Sequence, residues 1–122
     1  MNRTKHDSVV LLKKLGVNPA IKGWTYLNEA IQMSVDDPKV MEMVTKIMYP
    51  AIAKKYDTTH TRVERAIRHA VEQAFFVAPT KAIKAAFGNS VDPRRGKATN
   101  SQFIATCVNL IIAEPNNPIW SM

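Results

Sequence analysis

The sequence predicts a single all-α domain that contains a helix-turn-helix. Three observations carry this expectation. Proline and glycine cut the chain into segments of helical length. Within those segments apolar residues recur at helical spacing, and no segment sustains strand alternation. Between residues 50 and 76, a short and a long helical segment flank a tight polar turn, the pattern of two steeply crossing helices.

The first helix is expected over residues 8–15, with Ser8 as N-cap and Gly16 as the stop. Pro19 opens a second, which carries Trp24, Leu27, Ala30 and Ile31 at core spacing and ends near Asp36. Asp37-Pro38 sets an N-capping acid before a first-turn proline and starts a third, with Val40, Met43, Val44 and Ile47 facing inward. Tyr49-Pro50 breaks that helix, because a residue before proline avoids helical angles. Residues 50–56 form the next short helix and residues 60–76 a long one that stops before Pro79. Residues 80–87 follow, from Thr80 as cap to Gly88 as stop. A basic loop over 89–99 holds Pro93, Arg94, Arg95, Gly96 and Lys97. Asn100 or Ser101 caps a last helix through Ile112. The domain is thus expected over 1–113. Residues 114–122, with two prolines, read as a flexible C-terminal tail.

A chain of 122 residues can bury one core without a staple. The single cysteine, Cys107, permits no internal disulfide, which fits a reducing cytoplasm. No apolar run approaches the ~20 residues of a membrane helix. The polar stretch from Met1 to Asp7 lacks the apolar region of a signal peptide. The charge is basic, 17 Lys and Arg against 10 Asp and Glu. That excess alone fits either a basic soluble protein or a polyanion binder, whose clustered cations release counterions from phosphates. The placement of the charges decides.

The placement is informative at the helix-turn-helix. Ala53 supplies the small residue where the second helix crosses the first, and Ile52 and Tyr56 supply its apolar anchors. Asp57 suits a left-handed turn position in place of glycine. Thr59 or Thr61 caps the second helix, and Thr61 with Glu64 has the spacing of a capping box. At 100° per residue, Val63, Ala66, Ile67, Ala70, Val71 and Ala74 share one face. Thr61, Arg62, Glu64, Arg65, Arg68 and His69 share the other. That outer face is arginine-dense. Arginine matches the O6/N7 edge of guanine and a carboxylate accepts from cytosine N4, whereas lysine would serve if only phosphate attraction mattered. An ordinary amphipathic helix with an internal Glu64–Arg68 pair is the plainer reading of this face. The preceding turn favours DNA.

No other constellation competes. Trp24 and Tyr26 read as core. His6, His60 and His69 lie too far apart for zinc ligation, and Cys107 falls on an apolar helix face. Asp36, Asp37 and Glu29 read as helix-terminal charges. There is no phosphate loop, nucleophile elbow or paired acid, so no catalytic residue, metal or cofactor is assigned and an enzyme is not expected.

At these residues the chain resembles the C-terminal DNA-binding effector domain of the sporulation master response regulator of spore-forming Firmicutes, the stage 0 sporulation protein A family. Gly16-Val17, Ile21-Lys22-Gly23-Trp24, Tyr26-Leu27 and Glu29-Ala30-Ile31 resemble its second-helix motif. Tyr49-Pro50, the run from Ile52 to Tyr56 and the run from Arg62 to Ala70 resemble its helix-turn-helix almost residue for residue. Phe87-Gly88, Lys97, Thr99-Asn100-Ser101 and Phe103-Ile104-Ala105 resemble its last loop and helix. The resemblance spans about residues 8–112.

The resemblance implies a six-helix domain that binds double-stranded DNA at short boxes related to TGTCGAA, often as tandem copies occupied head to tail. It implies base contacts at Arg62, Glu64 and Arg65. It implies backbone contacts at Thr61, where the family usually has serine, and at Arg68, His69 and Lys97; Thr59, at the helix start, is placed with them. It implies a contact between the segment after the recognition helix and the RNA polymerase sigma subunit. Here that segment, Val77 to Ala86, departs from the family pattern, with Pro79 and with phenylalanine in place of a tryptophan. The family's N-terminal receiver domain has no room in this chain, so an excised effector domain or a free-standing relative is expected. Two other functions compete: a protein-interaction module that modulates a regulator or polymerase, and a nucleic-acid enzyme. The retained base-reading triplet argues against the first, and the lack of an acidic metal cluster against the second.

Overall fold

Helices α1 (Arg3–Lys14), α2 (Lys22–Asp36), α3 (Tyr49–Lys55), α4 (His60–Val77), α5 (Thr80–Phe87) and α6 (Asn100–Ala113) make up the computed structural model, which describes residues 3–91 and 96–122. Among the described residues there is no strand, and no helix is long and apolar enough to cross a membrane. Asp92, Pro93, Arg94 and Arg95, the middle of the expected basic loop, lie outside the described residues.

Local chemistry sets most boundaries. Gly16, at φ 78°, ends α1 as foreseen; its N–H and that of Val17 donate to the Lys13 and Leu12 carbonyls, both at 3.0 Å. The start of α1 differs. The helix begins at Arg3, and Ser8 lies inside it, buried, donating to Asn28 Oδ1 at 2.6 Å. Pro19 does not open α2 either. Asn18 Oδ1 accepts from Ala20 N, which closes a local turn around the proline, and α2 starts after the extended Ile21.

The largest departure falls on residues 38–48. Asp37 caps as expected, accepting from Lys39 N, but the segment is a 3₁₀-helix (Pro38–Met43) followed by a π-helix (Val44–Met48). Hydrogen bonds that span three and then five residues wind the chain too tightly and then too loosely to project a 3.6-residue pattern onto one face. Met43 and Ile47 are therefore exposed, while Val44 and Met48 are buried. Tyr49-Pro50 does not break the helical course as expected: Tyr49 is itself helical at φ −62° and ψ −45°, and α3 follows directly on the π-turn with the proline in its first turn.

The core is organised by the contact of α2 with α4. Gly23 makes it possible: a Cβ there would lie 2.2 Å from the Ala66 carbonyl oxygen and 2.8 Å from Ala70 Cβ. Leu27, Ile31, Ile67, Phe103 and Leu110 fill the space around this crossing without exposure. Cys107 is fully buried as expected, and burial pushes its thiol pKa up. Tyr26 is buried, and Trp24 packs half-buried against the core.

The C-terminal segment is packed, which corrects the expected flexible tail. Pro118–Ser121 form a 3₁₀ turn, Ile119 is fully buried, and Trp120 Nε1 donates to the Glu114 carbonyl at 2.9 Å. Asn117 Nδ2 donates to the Ala85 carbonyl at 2.9 Å and ties the turn to α5. The apolar pair Ile119-Trp120 supplies the burial that composition alone did not reveal.

Candidate nucleic-acid interface

The turn between α3 and α4 is built as its sequence requires. Asp57 adopts φ 52°, the only non-glycine among the described residues with positive φ. Around it, Thr58 N donates to the Ala53 carbonyl at 2.9 Å and Asp57 N to the Lys54 carbonyl at 3.4 Å. These two bonds satisfy the last carbonyls of α3 and reverse the chain. Thr59 then caps α4: its Oγ1 accepts from Arg62 N at 3.2 Å. The alternative capping box of Thr61 with Glu64 does not form, because the helix already begins at His60 and Glu64 accepts from Arg68 Nη1 at 3.0 Å.

Ile52, Ala53, Val63 and Ile67 are buried where the two helices meet. Tyr56 is not the buried anchor expected of it. It is partly exposed, its ring meeting Tyr26 edge-on at a 5.6 Å centroid distance, and its hydroxyl donates to Glu29 Oε2 at 3.3 Å. Glu29 also accepts from Lys55 Nζ at 2.7 Å, which raises the Lys55 pKa. Glu29 thus lies inside α2 and braces the end of α3, rather than serving as a helix-terminal charge.

The outer face of α4 carries the candidate DNA residues over a sector of about 160° at 100° per residue. Thr61, Arg62, Arg65, Arg68 and His69 are exposed, and Glu64 is half-buried. Among the described residues, the guanidiniums of Arg62 and Arg65 have no hydrogen-bond or ion-pair partner. Arg68 is held by Glu64, one turn away. The plainer reading of the face is therefore correct for one pair and not for the two remaining arginines.

Lys97 reaches this face from the loop before α6. Ala98 behind it is buried, and Lys97 Nζ donates to Glu72 Oε2 at 2.5 Å. That hydrogen bond lowers the Glu72 pKa. Beside the pair, the start of α6 meets α4. Thr99, not Asn100 or Ser101, is its N-cap, in a reciprocal capping box with Gln102. Asn100 is thereby released to donate to the Tyr49 hydroxyl and to the Glu64 carbonyl, both at 3.1 Å. A groove of about 360 Å³ runs between these elements, lined by Glu64, Arg68, Glu72, Lys97 and Asn100 among others. The structure so brings Thr61, Arg62, Glu64, Arg65, Arg68 and His69 together on α4, with Thr59 as its N-cap and Lys97 at its edge. Glu72 escaped the sequence reading, and the bonds of Asn100 to Tyr49 and to the Glu64 carbonyl were not foreseen in it. Glu72 was detectable as the next member of the four-residue row Glu64, Arg68, but its partner lies 25 residues away.

Residues 9–111, nearly the whole chain, match a family model described as the C-terminal domain of the sporulation initiation factor Spo0A.

Proposed function

The chain belongs to the family of the Spo0A C-terminal domain, a DNA-binding regulatory domain of sporulation transcription, and from that premise we propose that it reads a specific duplex sequence through α4 in the major groove. In this reading Arg62, Glu64 and Arg65, on the first two turns of α4, address base edges, where a recognition helix reaches them. Thr59, Thr61, Arg68, His69 and Lys97 address phosphates and hold the register. The observation that carries the reading is the state of Arg62 and Arg65. Both are exposed at the start of α4, and neither is neutralised by a partner among the described residues. Two long cations without an internal role favour an external acceptor.

Tandem sites are occupied head to tail by copies that are monomeric when free, in the cytoplasm. The RNA polymerase sigma subunit is the proposed protein partner, at the segment from Val77 to Ala86, which begins on the last residue of α4; there Val77 is half-exposed beside the largely exposed Phe76. Selection of bound sites from a random duplex pool tests the central claim. A sharp motif is the expected result. A flat profile together with tight binding to a regulator or polymerase would replace it with a protein-interaction role.

A further inference from the structure

Glu64, Arg68 and Glu72 follow one another at four-residue spacing along α4, and Lys97 closes the row from a different part of the chain. The charges alternate, and both contacts are made: Glu64 with Arg68 at 3.0 Å and Glu72 with Lys97 at 2.5 Å. A carboxylate on a DNA-facing helix repels the polyanion and offsets one cation in the release of counterions. Glu72 therefore works against general affinity, and its position calls for a compensating role. The geometry supplies one. An exposed lysine ordinarily swings on a flexible four-carbon stem. Here the Lys97 side chain is only 31% exposed, the next residue is buried, and the ammonium is tied to α4 itself. An ammonium has three donors, so one bond to Glu72 leaves two for a phosphate.

We propose that Glu72 is a specificity-determining positioning residue: without touching DNA, it pins the Lys97 ammonium to the recognition helix, so that the phosphate contact forms only in register with base reading. The inference rests on α4 being the DNA-reading helix. A pinned cation loses little freedom on binding a correctly placed phosphate. An unpinned one follows any phosphate, and specific and random duplexes then profit alike. Glu72 exchanges general attraction for register.

The test uses the full chain and two fluorescent duplexes, one from site selection and its scrambled counterpart, titrated over a salt series. Glu72→Ala is expected to tighten binding to the scrambled duplex and to raise the magnitude of its log-affinity against log-salt slope by ~1. The ratio of specific to scrambled affinity should fall by roughly fivefold. Glu72→Gln, which keeps an acceptor for the ammonium, should lower the ratio less. In the Lys97→Ala background, Glu72→Ala should leave the ratio unchanged, because there is nothing left to pin. Equal tightening on both duplexes would reduce Glu72 to a mere charge and overturn the proposal. A ratio that falls as much with Lys97 removed would overturn it too. The underlying reading is judged by the parent and by Lys97→Ala alone. That variant should weaken the selected duplex more than the scrambled one and lower the slope magnitude on the selected duplex by ~1. If the parent shows no duplex preference, the reading fails and the proposal with it. If the parent discriminates and only the Glu72 variants disappoint, the proposal alone fails. Thermal melts identify any variant that misfolds, and Glu72→Gln, nearly isosteric at a surface position, decides in that case.

Discussion

Asn100 donates through its side-chain amide to the backbone carbonyl of Glu64, 36 residues earlier, at 3.1 Å. The same nitrogen donates to the hydroxyl of Tyr49. One amide at the start of α6 therefore fastens the second turn of α4 and the start of α3. The Tyr49 hydroxyl is largely shielded from water, and burial raises its pKa. Asn100→Ala is expected to cost about 1–2 kcal/mol, since it leaves a shielded hydroxyl and a carbonyl short of a donor. Urea unfolding measures this; an unchanged midpoint would show that water replaces the amide.

Arg62→Ala and Arg65→Ala should each cost about 1–3 kcal/mol on a selected duplex and much less on a scrambled one. The motivation is that neither guanidinium has an ion-pair partner among the described residues. Fluorescence anisotropy on both duplexes decides. Equal losses would assign both residues to the phosphate backbone.

Glu64→Gln should relax discrimination at a C·G pair more than it weakens total binding, and it should strengthen binding to random duplex. The substitution also weakens the hold on Arg68, whose 3.0 Å bond to position 64 keeps an acceptor but loses its charge. Titration against single-base variants of the site is the check. Unchanged discrimination at every position would remove Glu64 from the base-reading set.

Gly23→Ala is expected to destabilise the domain by about 1–3 kcal/mol, the usual range for overpacking. A Cβ at this position meets backbone, the Ala66 carbonyl at 2.2 Å, which cannot rotate aside. The helices must separate, and α4 with them. Thermal unfolding should register the loss, and a neutral result would mean that α2 slides freely on α4.

The Glu72 carboxyl should titrate below the ordinary glutamate range, because Lys97 donates to its charged form. A lowered folded-state pKa stabilises the fold above the unfolded-state pKa, and that contribution disappears as pH falls through the folded value. Carboxyl carbon shifts followed by NMR between neutral pH and about pH 2 would locate it. In Lys97→Ala the value should return to the ordinary range. If it does not, the ion pair is not what lowers it.

What the sequence by itself determined is short-range. Asp57 marks the turn because few residues other than glycine tolerate a positive φ, and the structure places it at 52°. The two faces of α4 follow from spacing alone: Val63, Ile67, Ala70, Val71 and Ala74 are buried, and the arginines are outside. Such signals act within a turn or two of helix, so neighbouring residues express them. Only the tertiary structure decided the rest. The 3₁₀ and π periods of residues 38–48 are not written in their apolar spacing, and the packing of Ile119 depended on a surface formed elsewhere. The pairings of Lys97 with Glu72, Asn100 with Glu64 and Lys55 with Glu29 join residues at least 25 positions apart. Their partners are chosen by where helices cross, and a side chain's type states what it can bind but not which group the fold will bring within 3 Å.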